Sequence, residues 1–262
     1  MRNVIIIVIA TALLMLSACI RPHYELDSSA KTILSTLPGS LELEILHYGT
    51  DWSRDRKMMI YAIVNGELLL KTTKTCVYPD VGECCFHYSK QYIHFPFWAQ
   101  FNASVPVPKG LPKVKGYQYI GPVSVSPDNS FALLTIVPES HSTHYYYPMD
   151  IVLIEMGTKK VVFQTNRNNK RHLVQDVAWS PDSKLFAVLY DSSKRYHGCL
   201  GIIGSQLGHP VDKYTYYLAI YDREGSLLVQ SKVAYGLLTG DADIRFFSWR
   251  PKETVSQGGL YE

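Results

Sequence analysis

Val123-Ser124-Val125-Ser126-Pro127-Asp128, followed by Phe131-Ala132-Leu133-Leu134, returns further along the chain as Val177-Ala178-Trp179-Ser180-Pro181-Asp182, followed by Phe186-Ala187-Val188-Leu189. A third echo begins at Phe247-Ser248-Trp249-Arg250-Pro251. Proline holds φ near about −65° and aspartate bonds the backbone ahead of it, so each Ser-Pro-Asp predicts a tight turn between two strands. Between the first two echoes lie Ile151 to Glu155, a turn at Gly157, and Val161-Val162-Phe163-Gln164. Between the second and third lie Leu218 to Tyr221, a turn at Gly225, and Leu227-Leu228-Val229-Gln230. The two units match in order and each reads as four strands, the second having gained a loop over Tyr196 to Val211.

Upstream, Leu41-Glu42-Leu43-Glu44-Ile45 alternates with period two, as a half-buried strand does. Met58 to Val64 and Glu67 to Lys71 flank Asn65-Gly66, a pair that tolerates φ > 0 and predicts a tight hairpin. Residues 41 to 116 thus supply a further unit, and the third echo supplies the start of another. A four-stranded antiparallel unit repeated along a chain is the pattern of a propeller blade, in which each sheet buries its faces against its neighbours. The expected fold class is all-β, a β-propeller-like array of four-stranded blades, small or incomplete. The terminal strand either closes a ring against the N-terminal strands or leaves a ring that needs a partner. A β-sandwich of about thirteen strands is the alternative. The 12% aromatic content and the 17 glycines and 14 prolines spread along the chain agree with a turn-rich β protein and exclude a coiled coil or collagen.

Residues 117 to 252 resemble the WD40-like repeats of periplasmic propellers, the group that includes the propeller protein of the Tol system, whose blades carry an aromatic-Ser-Pro-Asp-Gly pattern. Asn129 and Ser183 stand where that pattern has glycine, and the third copy has Arg250-Pro251-Lys252.

The chain opens with Arg2, runs from Val4 to Leu16 with Thr11 as the single polar interruption, and reaches Leu16-Ser17-Ala18-Cys19. As a helix that run spans about 20 Å, too short for the roughly 30 Å core of a bilayer, so it predicts a cleaved leader. Its end resembles the lipobox of bacterial lipoproteins. That resemblance implies removal of residues 1 to 18 and acylation of Cys19, which would hold the protein on the lipid bilayer. Ile20, rather than aspartate, follows the cysteine, which in Gram-negative lipoproteins favours the outer membrane with the domain facing the periplasm. The expected organisation is a signal peptide over 1 to 18, a lipidated cysteine and tether over 19 to 40, with one short helix over Lys31 to Leu37, and a propeller-like domain over 41 to 262.

Four cysteines then remain for a compartment that permits disulfides: Cys76, Cys84, Cys85 and Cys199. Pairing the neighbours Cys84 and Cys85 would close a strained ring, so one of them is expected to join Cys76 and the other Cys199. Residues 73 to 116 also carry the aromatic run Tyr92 to Trp98, from which Phe95, Phe97 and Trp98 are candidate contacts of a binding loop, with burial in the core as the competing reading.

Catalytic signals are weak. Gly204-Ser205 lacks the first glycine of a nucleophile elbow because Ile203 stands there, and no phosphate-binding Gly-x-x-x-x-Gly-Lys occurs. Glu139, His141 and His144 have ligand types, but Pro138 and Pro148 argue for a loop, where His-x-x-His does not bring both rings to one side. The basic groups Lys109, Lys113, Lys115 and Lys159, Lys160, Arg167, Lys170, Arg171 read as solvated hairpin ends that could also meet anionic lipid. A net charge of +3 over 262 residues points to no nucleic-acid partner. No cofactor and no catalytic residue is expected. The expected role is a lipid-anchored module that binds another envelope protein. The alternatives are an inhibitor or immunity lipoprotein against a toxic enzyme, and a metal-dependent enzyme built on Glu139, His141 and His144.

Overall fold

The computed structural model describes residues 23–47, 55–77, 111–139, 150–165, 173–192, 194–195, 212–238 and 242–251. Among the described residues a 3₁₀ turn (Ser28–Ala30) and a single-turn helix α1 (Lys31–Leu34) precede thirteen strands. These are β1 (Ser40–His47), β2 (Asp55–Val64), β3 (Glu67–Val77), β4 (Tyr117–Val125), β5 (Phe131–Pro138), β6 (Asp150–Glu155) and β7 (Lys160–Gln164). There follow β8 (Leu173–Trp179), β9 (Leu185–Asp191), the two-residue β10 (Lys194–Arg195), β11 (Asp212–Asp222), β12 (Leu227–Leu238) and β13 (Ala242–Arg250).

The fold is all-β, and the described residues form three antiparallel sheets, none of which closes on itself among those residues. Sheet II is the meander β4-β5-β6-β7. Sheet III has the order β8-β9-β11-β12, with β10 pairing the start of β11 beside β9. Sheet I has the order β13-β1-β2-β3, so its first strand comes from the C-terminal end of the chain and its other three from the N-terminal end.

The repeat places β4, β8 and β13 in equivalent positions, and the turn chemistry explains the first two. In sheet II the Ser126 hydroxyl donates to Asp128 Oδ1 (2.6 Å) and accepts the Phe131 N–H (2.9 Å), while Asp128 Oδ1 also accepts the Ser130 N–H (3.0 Å). Sheet III repeats this with Ser180, Asp182, Leu185 and Lys184 at 2.7, 2.9 and 3.2 Å. Asn129 and Ser183, which follow the aspartates of these turns, take φ of 59° and 60°. The left-handed backbone is therefore kept without glycine, at a cost that asparagine bears more easily than serine. The Ser183 hydroxyl also accepts the Asp128 N–H (3.0 Å), which locks the turns of sheets II and III together. Asn65-Gly66 forms the expected tight turn, with φ of 51° and 76°.

Sheet III lies between the other two. Phe186, Ala187, Val188, Leu189 and Tyr190 are all fully buried. Phe186, Val188 and Tyr190 pack with Leu133, Ile151 and Leu153 of sheet II, whereas Ala187 and Leu189 pack with Leu41, Leu43 and Ile45 of sheet I. A strand buried on both faces needs a continuous apolar run, which is why β9 does not alternate. Trp179 fills the II–III interface, 5.5 Å from Phe186 and 6.2 Å from Phe131, and its indole N–H donates to Ser124 O (3.1 Å).

The tether expected over residues 19 to 40 needs correction over its described part. Leu26, Ala30, Leu34 and Leu37 are buried in the core shared by sheets I and III, so the folded domain begins by residue 23 rather than 41. The expected helix is shorter than Lys31 to Leu37, ending at Leu34.

Candidate functional site

Glu42, on β1, is one of four carboxylates buried among the described residues, with Asp150, Asp176 and Asp191. Its backbone pairs Ser248 of β13, next to the Leu41–Trp249 pair. The corresponding pairs are Leu133 with Ser124 in sheet II and Ala187 with Ala178 in sheet III. Where two sheets place fully buried apolar side chains, sheet I places an acid that is 3% exposed.

Two β-bulges bracket it. The β2–β3 register shifts between Ile60 and Tyr61, which leaves Lys71 unpaired in the ladder, and the β1–β13 register shifts just after Glu42, which leaves Phe247 unpaired. A bulge re-aims side chains and raises local twist. Lys71 Nζ sits 2.8 Å from Glu42 Oε1, the Ser248 hydroxyl donates to Oε2 (2.7 Å), and the Arg250 guanidinium lies 3.6 Å from Oε2 while its Nε–H donates to Ser248 Oγ (3.2 Å). Burial pushes the Glu42 carboxyl up, but the hydrogen bonds from Lys71 and Ser248 and the charges of Lys71 and Arg250 outweigh it and hold the group below its usual range. Glu42 is thus an ionised acceptor, unsuited to deliver a proton near neutral pH.

Lys71 and Arg250 are half exposed, with side chains at 51% and 60%, and both face a cavity of about 340 Å³. Its lining includes Leu34, Leu37, Ile63, Val64 and Pro251. Ser40, also in the wall, has a buried hydroxyl without a hydrogen-bond partner among the described residues. Two cations and one carboxylate leave a net positive mouth over an apolar wall, an arrangement that binds an acidic or polar group carried on an apolar body. On β3, Leu69 pairs Ala62, which pairs Glu42, and is about half exposed, at 48%, while Val64 in the cavity wall is 38% exposed.

Of the residues singled out from the sequence, Cys76 lies in β3 with its backbone opposite Arg56. Glu139 is exposed just past β5, where its N–H donates to Gly116 O (2.9 Å). Cys19, Cys84, Cys85, Cys199, Phe95, Phe97, Trp98, His141 and His144 lie outside the described residues. Among the described residues no three His, Cys, Asp or Glu side chains are grouped to hold a metal ion. Lys159 and Lys160 are exposed at the β6–β7 turn, as a solvated hairpin end requires. Sequence reading missed Glu42, because its alternating strand put Glu42 on a solvated face. The equivalence of Glu42 with Leu133 and Ala187 lies in the strand register opposite Ser248, Ser124 and Ala178, which the sequence repeat does not carry, since it aligns Leu133 with Val188. No protein-family model and no curated protein matches this sequence.

Proposed function

We propose that the protein is an envelope lipoprotein, held on the outer membrane through acylated Cys19, whose propeller-like domain binds another envelope protein and performs no catalysis. Each sheet is one blade, and β13 joining β1 is the closure by which such an array ties its two chain ends together. The observation that carries the binding reading is the buried Glu42 between two bulges. A buried ion cluster is a poor stabiliser compared with the apolar residues used at the same place in the other sheets, and departures from a repeat's own pattern concentrate where function is served. Here the departure holds Lys71 and Arg250 beside a cavity, on the sheet face whose register also carries exposed Leu69. The partner surface that complements it is acidic and apolar.

Capture of envelope proteins on the immobilised mature domain tests this. Lys71→Glu combined with Leu69→Ser should remove a captured partner, whereas Lys159→Glu with Lys160→Glu, at the far turn of sheet II, should retain it. Loss with the second pair and retention with the first would overturn the reading.

A further inference from the structure

The chain enters the fold along the outer edge of β12. His23 and Tyr235 exchange backbone hydrogen bonds of 2.9 and 3.0 Å, and their rings stack 5.2 Å apart. The Tyr235 hydroxyl donates to Glu25 (2.6 Å), the Asp27 N–H donates to Ser231 Oγ (2.8 Å), and the Lys232 N–H donates to Asp27 Oδ2 (2.9 Å). Tyr24 packs on Tyr61 with ring centres 5.0 Å apart, and Leu26 is buried. The edge of β12 is thereby covered, and the position of His23 is fixed by the fold.

Only Ile20, Arg21 and Pro22 separate His23 from Cys19. Four residue steps reach at most about 14 Å, so an acylated Cys19 holds Tyr235 close to the headgroups. The direction of the leash also matters. Residues 23 to 27 run antiparallel to β12, from Tyr235 toward Ser231, so the chain leaves the fold toward the end of sheet III where β12 finishes. At that end Tyr214 pairs Gly236, Lys213 pairs both Leu237 and Lys194, and Asp212 pairs both Leu238 and Arg195. The register therefore places Lys194, Arg195 and Lys213 there beside Asp212, with Glu25 next to Tyr235. The opposite end carries the tight turns: 180 to 184 and 223 to 226 in sheet III, and 126 to 130 in sheet II, which meets them through Asp128 and Ser183.

We infer that the β10–β11–β12 end of sheet III rests on an anionic bilayer surface and that the tight-turn end points away from it. The inference rests on acylation of Cys19 and adds the orientation that a short leash and a basic strand end impose together. From Tyr235 to Leu227 the strand extends roughly 27 Å, so the turn at Gly225 stands well beyond the headgroups. Positively charged residues at the near end add attraction to anionic lipid, which falls off within a Debye length.

The test uses the full lipidated protein in phosphatidylethanolamine–phosphatidylglycerol vesicles doped with a headgroup-nitroxide lipid. A genetically encoded fluorescent residue is placed singly at position 213 or 139, at the long-connection ends of sheets III and II, or at position 224 or 158, at the tight turns. Circular dichroism confirms that each labelled protein is folded. Quenching at 213 should exceed that at 224 and 158 several-fold, with 139 also above 158. Inserting twelve Gly/Ser residues between Pro22 and His23 should shrink the contrast at least twofold. Equal quenching at 213 and 224, which would mean that the domain lies on its β12 edge, overturns the inference, as does stronger quenching at 224. Cys19→Ser separates the underlying reading: release from vesicles supports anchoring by that cysteine. Retention of that variant with the 213-over-224 contrast intact would refute the anchor while leaving the docking surface standing.

Discussion

Sheets III and I are built to the same plan by different means. In sheet III the first two strands are joined by five residues, and the Ser180 and Asp182 side chains close that turn with hydrogen bonds made inside it. In sheet I the same two positions are filled by β13 and β1, from opposite ends of the chain, and no turn joins them. Arg250 stands where the turns have Ser126 and Ser180, and the ring N–H of Trp249 donates to Pro38 O (2.9 Å), a contact between the two chain ends. Gly39, at φ 94°, brings its backbone so close to Arg250 O that a Cβ there would lie 1.8 Å from it. Local chemistry specifies sheet III, whereas sheet I depends on contacts between residues some two hundred positions apart. Such contacts carry the larger loop-closure cost and form only when the rest of the core is assembled.

The largest expected effect follows from that dependence. Deleting residues 242 to 262 strips β1 of one of its two partner strands and removes the buried Ile244 from the core. The truncated domain should lose cooperative unfolding, read by circular dichroism during a urea titration, because sheet I and its interface with sheet III lose an entire strand. A sharp transition with an unchanged midpoint would show that β13 is dispensable.

Next comes the tryptophan pair. Trp179 is 6% exposed and wedged between Phe131 and Phe186, so Trp179→Ala should cost about 3 to 5 kcal/mol. Trp249 occupies the equivalent place in sheet I but is only partly buried, and Trp249→Ala should cost at least about 1 kcal/mol less. Denaturant midpoints at constant m-value measure both. A larger loss at Trp249 would reverse the ranking of local and long-range closure.

The smallest effect concerns Glu42. Glu42→Leu restores what Leu133 supplies in sheet II, and replacing a buried ion pair by an apolar residue is often neutral or stabilising by about 1 to 4 kcal/mol. Because Lys71 and Arg250 are half exposed and solvent-screened, the outcome at pH 7 should lie near the lower end of that range. The pH dependence has a defined sign. The folded Glu42 carboxyl is held below its ordinary value of 4.5, so its contribution is fully present above that value and is lost as the pH falls through the folded one. The stability of Glu42→Leu relative to wild type should therefore rise as the pH is lowered below about 4.5. A difference independent of pH between 3 and 7, measured by thermal melts, would place the ionised carboxylate outside the stabilising network.

The sequence made the strands and turns of sheets II and III legible because Ser-Pro-Asp turns are local and recur with the same order of apolar runs. It left the placement of β13 open between closure and an unfilled ring, since no short-range pattern reports a pairing between chain ends. Residues 23 to 40 misled for a different reason. Pro22, Ser28, Ser29, Pro38 and Gly39 look like linker composition, yet Leu26, Ala30, Leu34 and Leu37 follow the spacing of one helical face. That signal is weak because the helical stretch that uses it is only a few residues long. The candidate site was hidden by a correct strand assignment with a wrong consequence: Glu42 does alternate with Leu41 and Leu43, but two bulges bring Lys71 and Arg250 over the face that alternation marks as solvated.

Cross-linking decides whether the chain ends meet as described. In the β1–β13 register Glu44 pairs Arg245, while Arg250 pairs Ser40 at the far end of the strand. In the mature domain carrying Cys76, Cys84, Cys85 and Cys199 as serines, Glu44→Cys with Arg245→Cys should form an intramolecular disulfide under mild oxidation. Peptide mapping by mass spectrometry identifies it. Glu44→Cys with Arg250→Cys, several residues out of register, should stay reduced under the same conditions. A disulfide in the second pair and none in the first, with both variants folded, would contradict completion of sheet I by the C-terminal strand.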